Sequence, residues 1–333
     1  MNDLIIRAKN LTKYYGNNNN FIIKKDQSVQ IVDNINIDLV RGKTTALVGE
    51  SGSGKTTTAK MLINVIKPSS GTVEYNFKNF KTNINQINKN DKKKFQKVVS
   101  LIFQDPYRSL SPRMNIKDII SEPLLLNNYS TEFIENKLIK LLDDVGMPNN
   151  SLNRYPHEFS GGQRQRISIA RSLALQPEFI IADEPVSALD VSIQAQILNL
   201  LMDLQNEYKL TFLFISHDLR VIAKISDYIY VMYAGNIVEY GKTKSIYLNP
   251  HHPYTEALLK SVPSSDPNAK NDFYLEGEVA DLSNKPKGCI FHPRCVYKKD
   301  VCKNIIPINI CNSKNEITYK CHFLKNSPDR GPP

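Results

Sequence analysis

The stretch Gly49-Glu50-Ser51-Gly52-Ser53-Gly54-Lys55-Thr56 has the spacing G-x-x-x-x-G-K-[ST]. A loop of this kind needs a strand feeding it and a helix leaving it, because its backbone N–H groups must converge on phosphate oxygens at a helix N-terminus. Both are legible here. Thr45 to Val48 is an apolar, strand-length run, and Thr57-Thr58-Ala59-Lys60-Met61-Leu62-Ile63 starts a helix. The chemistry follows from residue type. Glycines permit the tight, close-approach backbone; Lys55 reaches the β- and γ-phosphates; the Thr56 hydroxyl ligates Mg²⁺. The expected nucleotide-binding set is Gly49, Glu50, Ser51, Gly52, Ser53, Gly54, Lys55, Thr56 and Thr57, with Lys55 also counted as catalytic.

Three further strings belong with this loop. Phe179-Ile180-Ile181-Ala182 reads as a buried strand ending in Asp183-Glu184. A carboxylate at the end of an apolar strand is costly without a cation partner, and Mg²⁺ would be that partner for Asp183. Glu184, one residue on, is placed to polarise a water attacking the γ-phosphate. His217 follows Phe212-Leu213-Phe214-Ile215 and Gln104 follows Ile102-Phe103, so both stand at strand ends, where an α/β sheet binds its ligands. Both are expected in catalysis. Ser160-Gly161-Gly162-Gln163 opens a helix and reads as a second anion site. A chain with one triphosphate cradle has no use for another, so this turn is expected to serve the nucleotide of a second subunit.

Bulk properties narrow the class. No apolar run approaches the roughly 18–20 residues needed to cross a bilayer, and Met-Asn-Asp-Leu-Ile-Ile-Arg lacks a signal-peptide core, so a cytosolic chain reaching membranes through partners is expected. Lys and Arg exceed Asp and Glu by 43 to 33. Lysines crowd between Lys78 and Lys97 without the interleaved aromatics that stack bases, which argues against nucleic acid. The five cysteines all fall between Cys289 and Cys321, a clustering that points to metal or redox chemistry rather than a disulfide framework.

Along the chain, residues 2–48 read as short strands, with Gly16-Asn17-Asn18-Asn19-Asn20 as a flexible connection. Asn79 to Lys94 reads as a polar surface insertion without chemistry. Residues 106–157 carry helical spacing (Ile116, Ile119, Ile120, Phe133, Ile134, Leu138, Leu141, Leu142) and would form an inserted helical arm. Gln163 to Leu175 is a helix. Ile193, Ile197, Leu200, Leu201 and Leu204 mark an amphipathic helix with Ser192 as its N-cap. Leu210 to Ile215 is another strand, and strand–helix–strand alternation predicts a mainly parallel sheet. Past about Pro250 the texture turns Pro-, Asn- and Lys-rich, which marks a second, smaller region.

Together these residues resemble the ATP-binding cassette (ABC) ATPases over roughly residues 4–245. Gly49 to Thr56 matches Walker A, Gln104 the Q-loop, Ser160 to Gln163 the signature motif, Asp183 and Glu184 Walker B and the catalytic glutamate, Ser187-Ala188-Leu189-Asp190 the D-loop, and His217 the switch histidine. The resemblance adds Asp190 to the binding set, Gln104 to Thr56 and Asp183 as Mg²⁺ ligands, and Tyr15, with Tyr14 as fallback, as the ring that stacks on adenine. Phe159 stands where the family usually has Leu. The implied fold is a phosphate-loop NTPase (RecA-like): a mainly parallel sheet, an antiparallel β subdomain, a helical subdomain at about 104–170 within an ATPase domain of 1–248, and an extension over 249–333.

Phe103-Gln104-Asp105-Pro106-Tyr107, Ser109-Leu110-Ser111-Pro112-Arg113-Met114 and Asn249-Pro250-His251-His252-Pro253-Tyr254 resemble the oligopeptide/dipeptide importer ATPases. Gly162-Gln163-Arg164-Gln165-Arg166 looks like their F-type subunit, since the D-type usually has Met where Gln163 stands. This implies a D-type ATPase partner in a heterodimer, two transmembrane permeases, an extracellular substrate-binding protein, and a place on the cytoplasmic face of the membrane. Oligopeptides or dipeptides are the implied cargo, although relatives also serve nickel and other solutes. The extension's cysteine spacing in that family matches Cys289, Cys295, Cys302 and Cys321, with Cys311 extra. Such thiolates can hold a [4Fe–4S] cluster or zinc, or remain unmetallated.

Overall fold

The computed structural model describes residues 3–16, 28–261, 275, 277–312, 316–325 and 330. The long strands β1 (Leu4–Gly16) and β2 (Ser28–Val40) pair antiparallel, and β3 (Thr44–Val48) leads into α1 (Lys55–Leu62). β4 (Ser70–Phe77), β5 (Phe80–Asn83), α2 (Lys89–Val98) and β6 (Val99–Ile102) follow. The helical region is α3 (Pro106–Ser109), α4 (Ile116–Leu126), α5 (Thr131–Asp144) and α6 (Gly161–Leu173). β7 (Phe179–Asp183), α7 (Val191–Tyr208), β8 (Thr211–Ser216), α8 (Leu219–Ile225), β9 (Tyr228–Tyr233) and β10 (Asn236–Lys242) complete the α/β part. The C-terminal region contains α9 (Thr243–Leu248), α10 (Pro253–Lys260), α11 (Asp300–Asn304), β11 (Asn309–Asn312) and β12 (Ile317–Lys320).

Among the described residues the strands form two sheets, ordered β11-β12-β10-β9-β3-β8-β7-β6 and β2-β1-β4-β5. From β9 to β6 the larger sheet is parallel. Its strands read as unbroken apolar runs because both faces are covered. On β8, Phe212 and Phe214 face one core with the helical region, while Leu213 and Ile215 face the other with the antiparallel sheet. The strand period of two divides each strand between the cores. This α/β arrangement matches the expected fold class. Among the described residues no helix is long and apolar enough to cross a membrane.

Local signals explain the helix starts. Asn115 and Ser130 accept from the N–H groups of Asp118 and Phe133, capping α4 and α5. Other expectations need correction. Asn79 to Lys94 does not lie wholly on the surface: Phe80 and Ile84 within it are buried, and so is Phe95 just past it, which packs edge-on against Tyr75 at 4.7 Å. Three apolar anchors suffice to seat a strand and a helix in an otherwise polar stretch. Phe133, which shares the helical spacing of α5, is exposed and stacks on Tyr129 at 4.9 Å. The N-cap of α7 is Asp190, without a side-chain bond, so Ser192 lies inside the first turn. The Asn17 to Asn20 connection lies outside the described residues.

The C-terminal region is bound to the α/β core by a buried acid. Glu239 on β10 is fully buried, and its carboxyl oxygens accept from the backbone N–H groups of His251 at 2.7 Å and His252 at 3.1 Å. Burial pushes the Glu239 carboxyl up to about 7, partly offset by the backbone hydrogen bonds from His251 and His252. Because the folded value lies above the unfolded one, this contribution to stability is complete below about pH 4.5 and is lost as pH rises through about 7. His252 works oppositely: burial pulls its imidazole down to about 3, so stability is lost as pH falls below the ordinary histidine range. The Glu239→Gln variant isolates the first term. From pH 5 to pH 8, wild type should lose about 3 kcal/mol relative to the variant in urea unfolding. Parallel pH profiles for the two proteins would contradict this assignment.

Candidate active site

The phosphate loop joins β3 to α1, and two glycines in it cannot be replaced without moving backbone. Gly49 (φ +152°) lies so close to β9 that an added Cβ would stand 2.0 Å from the Met232 carbonyl oxygen. At Gly54 (φ +102°) the same atom would stand 2.9 Å from the Ile31 carbonyl oxygen. A residue pair not singled out in the sequence completes the cradle: in the turn Ala234-Gly235 between β9 and β10, Gly235 N–H donates to the Ser53 carbonyl at 2.9 Å. An Ala-Gly turn between strands signals a hairpin, but says nothing about which loop it will touch.

Lys55 folds back within the loop, donating to the carbonyls of Gly49 and Glu50, each at 2.8 Å. Burial pulls its ammonium below the usual lysine range, against the attraction of Glu184, Asp183 and Glu50. Burial likewise raises the Asp183 carboxyl, offset by the hydrogen bond from the Thr56 hydroxyl at 3.3 Å. Each charge is incompletely compensated by its neighbours, and a phosphate with a divalent cation supplies what both lack. The Thr56 and Asp183 oxygens fit a hard cation such as Mg²⁺.

At the tips of β7 and β8 the acid–base residues meet. The Glu184 carboxylate accepts from Gln104 Nε2 at 3.0 Å and lies 3.1 Å from His217 Nδ1. An ionised carboxylate only accepts, so Nδ1 carries the proton in this contact. Glu184 has φ +46°, its N–H donates to Ile215 O at 2.9 Å, and the Ser187 hydroxyl donates to its carbonyl at 3.0 Å. Thr56, Lys60, Gln104, Asp183, Glu184 and His217 help to line one open cleft of about 990 Å³.

The Ser160–Gln163 turn, expected as a second anion site, stands apart. Among the described residues none of Ser160 to Gln163 lines that cleft. Ser160 and Gln163 cap α6 reciprocally: Gln163 N–H donates to Ser160 Oγ at 3.3 Å, and Ser160 N–H to Gln163 Oε1 at 3.0 Å. The glycines also have a packing role, since a Cβ on Gly161 would stand 3.3 Å from Leu189, and one on Gly162 2.5 Å from Ile193. The turn therefore rests on the segment carrying Asp190, itself exposed at the start of α7. Tyr15 is 43% exposed, with Lys13 Nζ 5.3 Å from its ring centroid. It pairs with Val29, three residues along β2 from Val32, which packs beside Gly54. That separation along β2 is about 10 Å.

The cysteines divide four and one. Cys289 N–H donates to the Cys302 carbonyl at 2.8 Å, and Cys289, Cys295 and Cys321 feel one another's or Cys302's charge, while Cys311 is exposed on β11. Burial pushes the Cys289 thiol up to about 11 and the Cys295 thiol up to about 12. Among the described residues, however, no three His, Cys, Asp or Glu side chains are grouped to hold a metal ion. The arrangement does not support the iron–sulfur expectation: Cys289 and Cys302 are packed into the hydrophobic core.

A phosphate loop, a Mg²⁺-suited threonine–aspartate pair and a glutamate held between glutamine and histidine define an ATPase of the ABC type. The ABC transporter family model matches residues 32–187, and that of the oligopeptide/dipeptide transporter C-terminal region matches residues 238–302. The chain is 44% identical over 308 residues to the dipeptide transport ATP-binding protein DppF of Haemophilus influenzae, covering 92% of this chain and 93% of that protein. It is 44% identical to the oligopeptide transport ATP-binding protein AppF of Bacillus subtilis, with the same coverage. Similar solved structures include cbiO1 from Clostridium perfringens, part of the ABC transporter complex cbiONQ (TM-score 0.64, 25% identity, 74% of this chain and 92% of that one). Another is the cassette MJ0796 in a dimeric post-hydrolysis state with ADP and Pi (TM-score 0.60, 27% identity, 72% and 98%). The chain belongs to the oligopeptide/dipeptide transport ATP-binding proteins of the ABC transporter family.

Proposed function

We propose that this chain binds and hydrolyses ATP to drive uptake of oligopeptides or dipeptides through membrane permease partners. The observation that carries the reading is the convergence of Gln104, Glu184 and His217 beside Thr56 and Asp183. Glu184 takes a proton from the attacking water, and His217 holds Glu184 in place and faces the transferred phosphoryl group. Lys55 leaves the loop carbonyls to neutralise the β- and γ-phosphates, and Tyr15 stacks on the base. Thr56, Asp183 and Gln104 would hold Mg²⁺, which would supply charge neutralisation at the phosphates.

The separation of the Ser160–Gln163 turn from the cleft supports a two-chain site, in which the turn and Asp190 face the nucleotide of a D-type partner. The dimeric state of the MJ0796 cassette with ADP and Pi supports the same reading. Closure over ATP and reopening after hydrolysis would bias a two-state element, residues about 104–157, that passes motion to the permeases on the cytoplasmic face. The proposed division is an ATPase domain of 1–248 and an extension of 249–333. Pull-down of the tagged chain from solubilised membranes should recover two permeases and a second ATPase, with a substrate-binding protein joining when peptide is present. ATPase activity stimulated by DNA or RNA, without membrane association, would instead favour a soluble nucleic-acid role. A reading of Cys289, Cys295, Cys302 and Cys321 as an iron–sulfur centre rests on the resemblance alone. Iron and sulfide analysis of anaerobically purified protein tests it: stoichiometric iron and sulfide would restore the reading, and their absence removes it.

A further inference from the structure

The C-terminal region reaches into the phosphate loop through Glu50. All three polar groups of Glu50 are engaged. Its carboxylate receives both ends of the Arg294 guanidinium, at 2.6 and 3.1 Å. Its N–H donates to the Tyr254 hydroxyl at 2.9 Å, and its carbonyl accepts from Lys55 Nζ at 2.8 Å. The Arg294 side chain is 5% exposed and that of Glu50 27%, so the pair is a two-pronged, partly buried contact rather than a fully exposed ion pair. Tyr254 is fully buried. Both residues are held rigidly. Phe291, three residues before Arg294 and 2% exposed, packs 5.1 Å from Tyr233 and 5.4 Å from Tyr254, ring to ring. Arg294 N–H donates to the Phe291 carbonyl at 3.1 Å, closing the turn that aims the guanidinium.

We propose that Arg294 and Tyr254 are positioning residues for the phosphate loop, so that the C-terminal region is a working part of the nucleotide site. The inference rests on the loop being the ATP site. Tyr254 orients the peptide plane before Glu50 and Arg294 anchors its side chain, which together fix where the Glu50 carbonyl holds Lys55 before the lysine transfers to phosphate. Without these anchors the loop must be ordered at the expense of nucleotide binding, so affinity falls while the chemical step, carried by other residues, persists.

The test uses the full-length chain with MgATP as probe. The Arg294→Met variant should raise the Kd and the KM for MgATP about tenfold, with kcat at saturation within about twofold of wild type. Arg294→Lys should recover part of the loss. Adding Arg294→Met to Glu50→Gln should cost much less than it does alone, a coupling that a general loss of stability does not produce. Should Arg294→Met fail to fold, Tyr254→Phe decides the matter: a severalfold weaker affinity supports the proposal and an unchanged one overturns it. A folded Arg294→Met protein with wild-type affinity also overturns it and leaves the ATPase reading intact. A wild-type chain that does not bind MgATP overturns both.

Discussion

Replacing Glu184 with Gln should lower ATP turnover by about 10²–10⁴-fold, the usual contribution of a positioned general base. The amide has the shape of the carboxylate and requires no new backbone conformation at φ +46°, so the loop conformation is kept. What disappears is the capacity to accept a proton from water while held between Gln104 and His217. Nucleotide affinity should be retained, because Lys55, Thr56 and Asp183 are untouched. The variant should therefore accumulate as a closed, ATP-bound dimer with its partner. Phosphate release in single-turnover mixing, beside equilibrium ATP binding, separates the two effects. Undiminished turnover would remove Glu184 from the chemistry.

Gly49→Ala should be more damaging to the molecule itself. The added methyl would meet a strand carbonyl at 2.0 Å and Ser53 Oγ at 2.9 Å. The serine can move, but the carbonyl cannot: Met232 lies in β9, whose neighbour Val231 pairs in the ladder with Val48. Displacing either strand disturbs both cores, so a loss of about 3 kcal/mol or more is expected, together with loss of ATP binding. Gly52→Ala provides the contrast, since open space surrounds that position despite φ +78°. Only the left-handed backbone penalty of about 1–2 kcal/mol applies there. Denaturant midpoints and ATP titrations of the two variants should differ in this order. A reversal would mean that the loop lies elsewhere relative to β9.

The legible part of this protein was local. Strand, loop and helix around Lys55 follow from a spacing that admits few backbone conformations, and the apolar run before Asp183 announces a strand buried on both faces. Motif residues at strand ends could be named because a parallel sheet collects such ends on one edge. Segments with sparse anchors were misread. The polar stretch around Phe80, Ile84 and Phe95 hides its three contacts among lysines and asparagines, and Phe133 has helical spacing but lies exposed against Tyr129 rather than in the core. Periodicity records which residues share a face, not whether anything covers that face.

By itself the sequence determined the phosphate loop, the parallel α/β core and the chemical types available at its edge, because each depends on neighbours within a few residues. Only the tertiary structure decided that Gly49 abuts Met232, that Glu184 lies between residues 80 positions before it and 33 after it, and that Arg294 grips Glu50 across 244 positions. Contacts at such separations arise from the packing of whole layers and leave no periodic trace in the chain. That is why the C-terminal region, legible as a change of texture and a cluster of cysteines, proves to touch the loop from which the sequence is best understood.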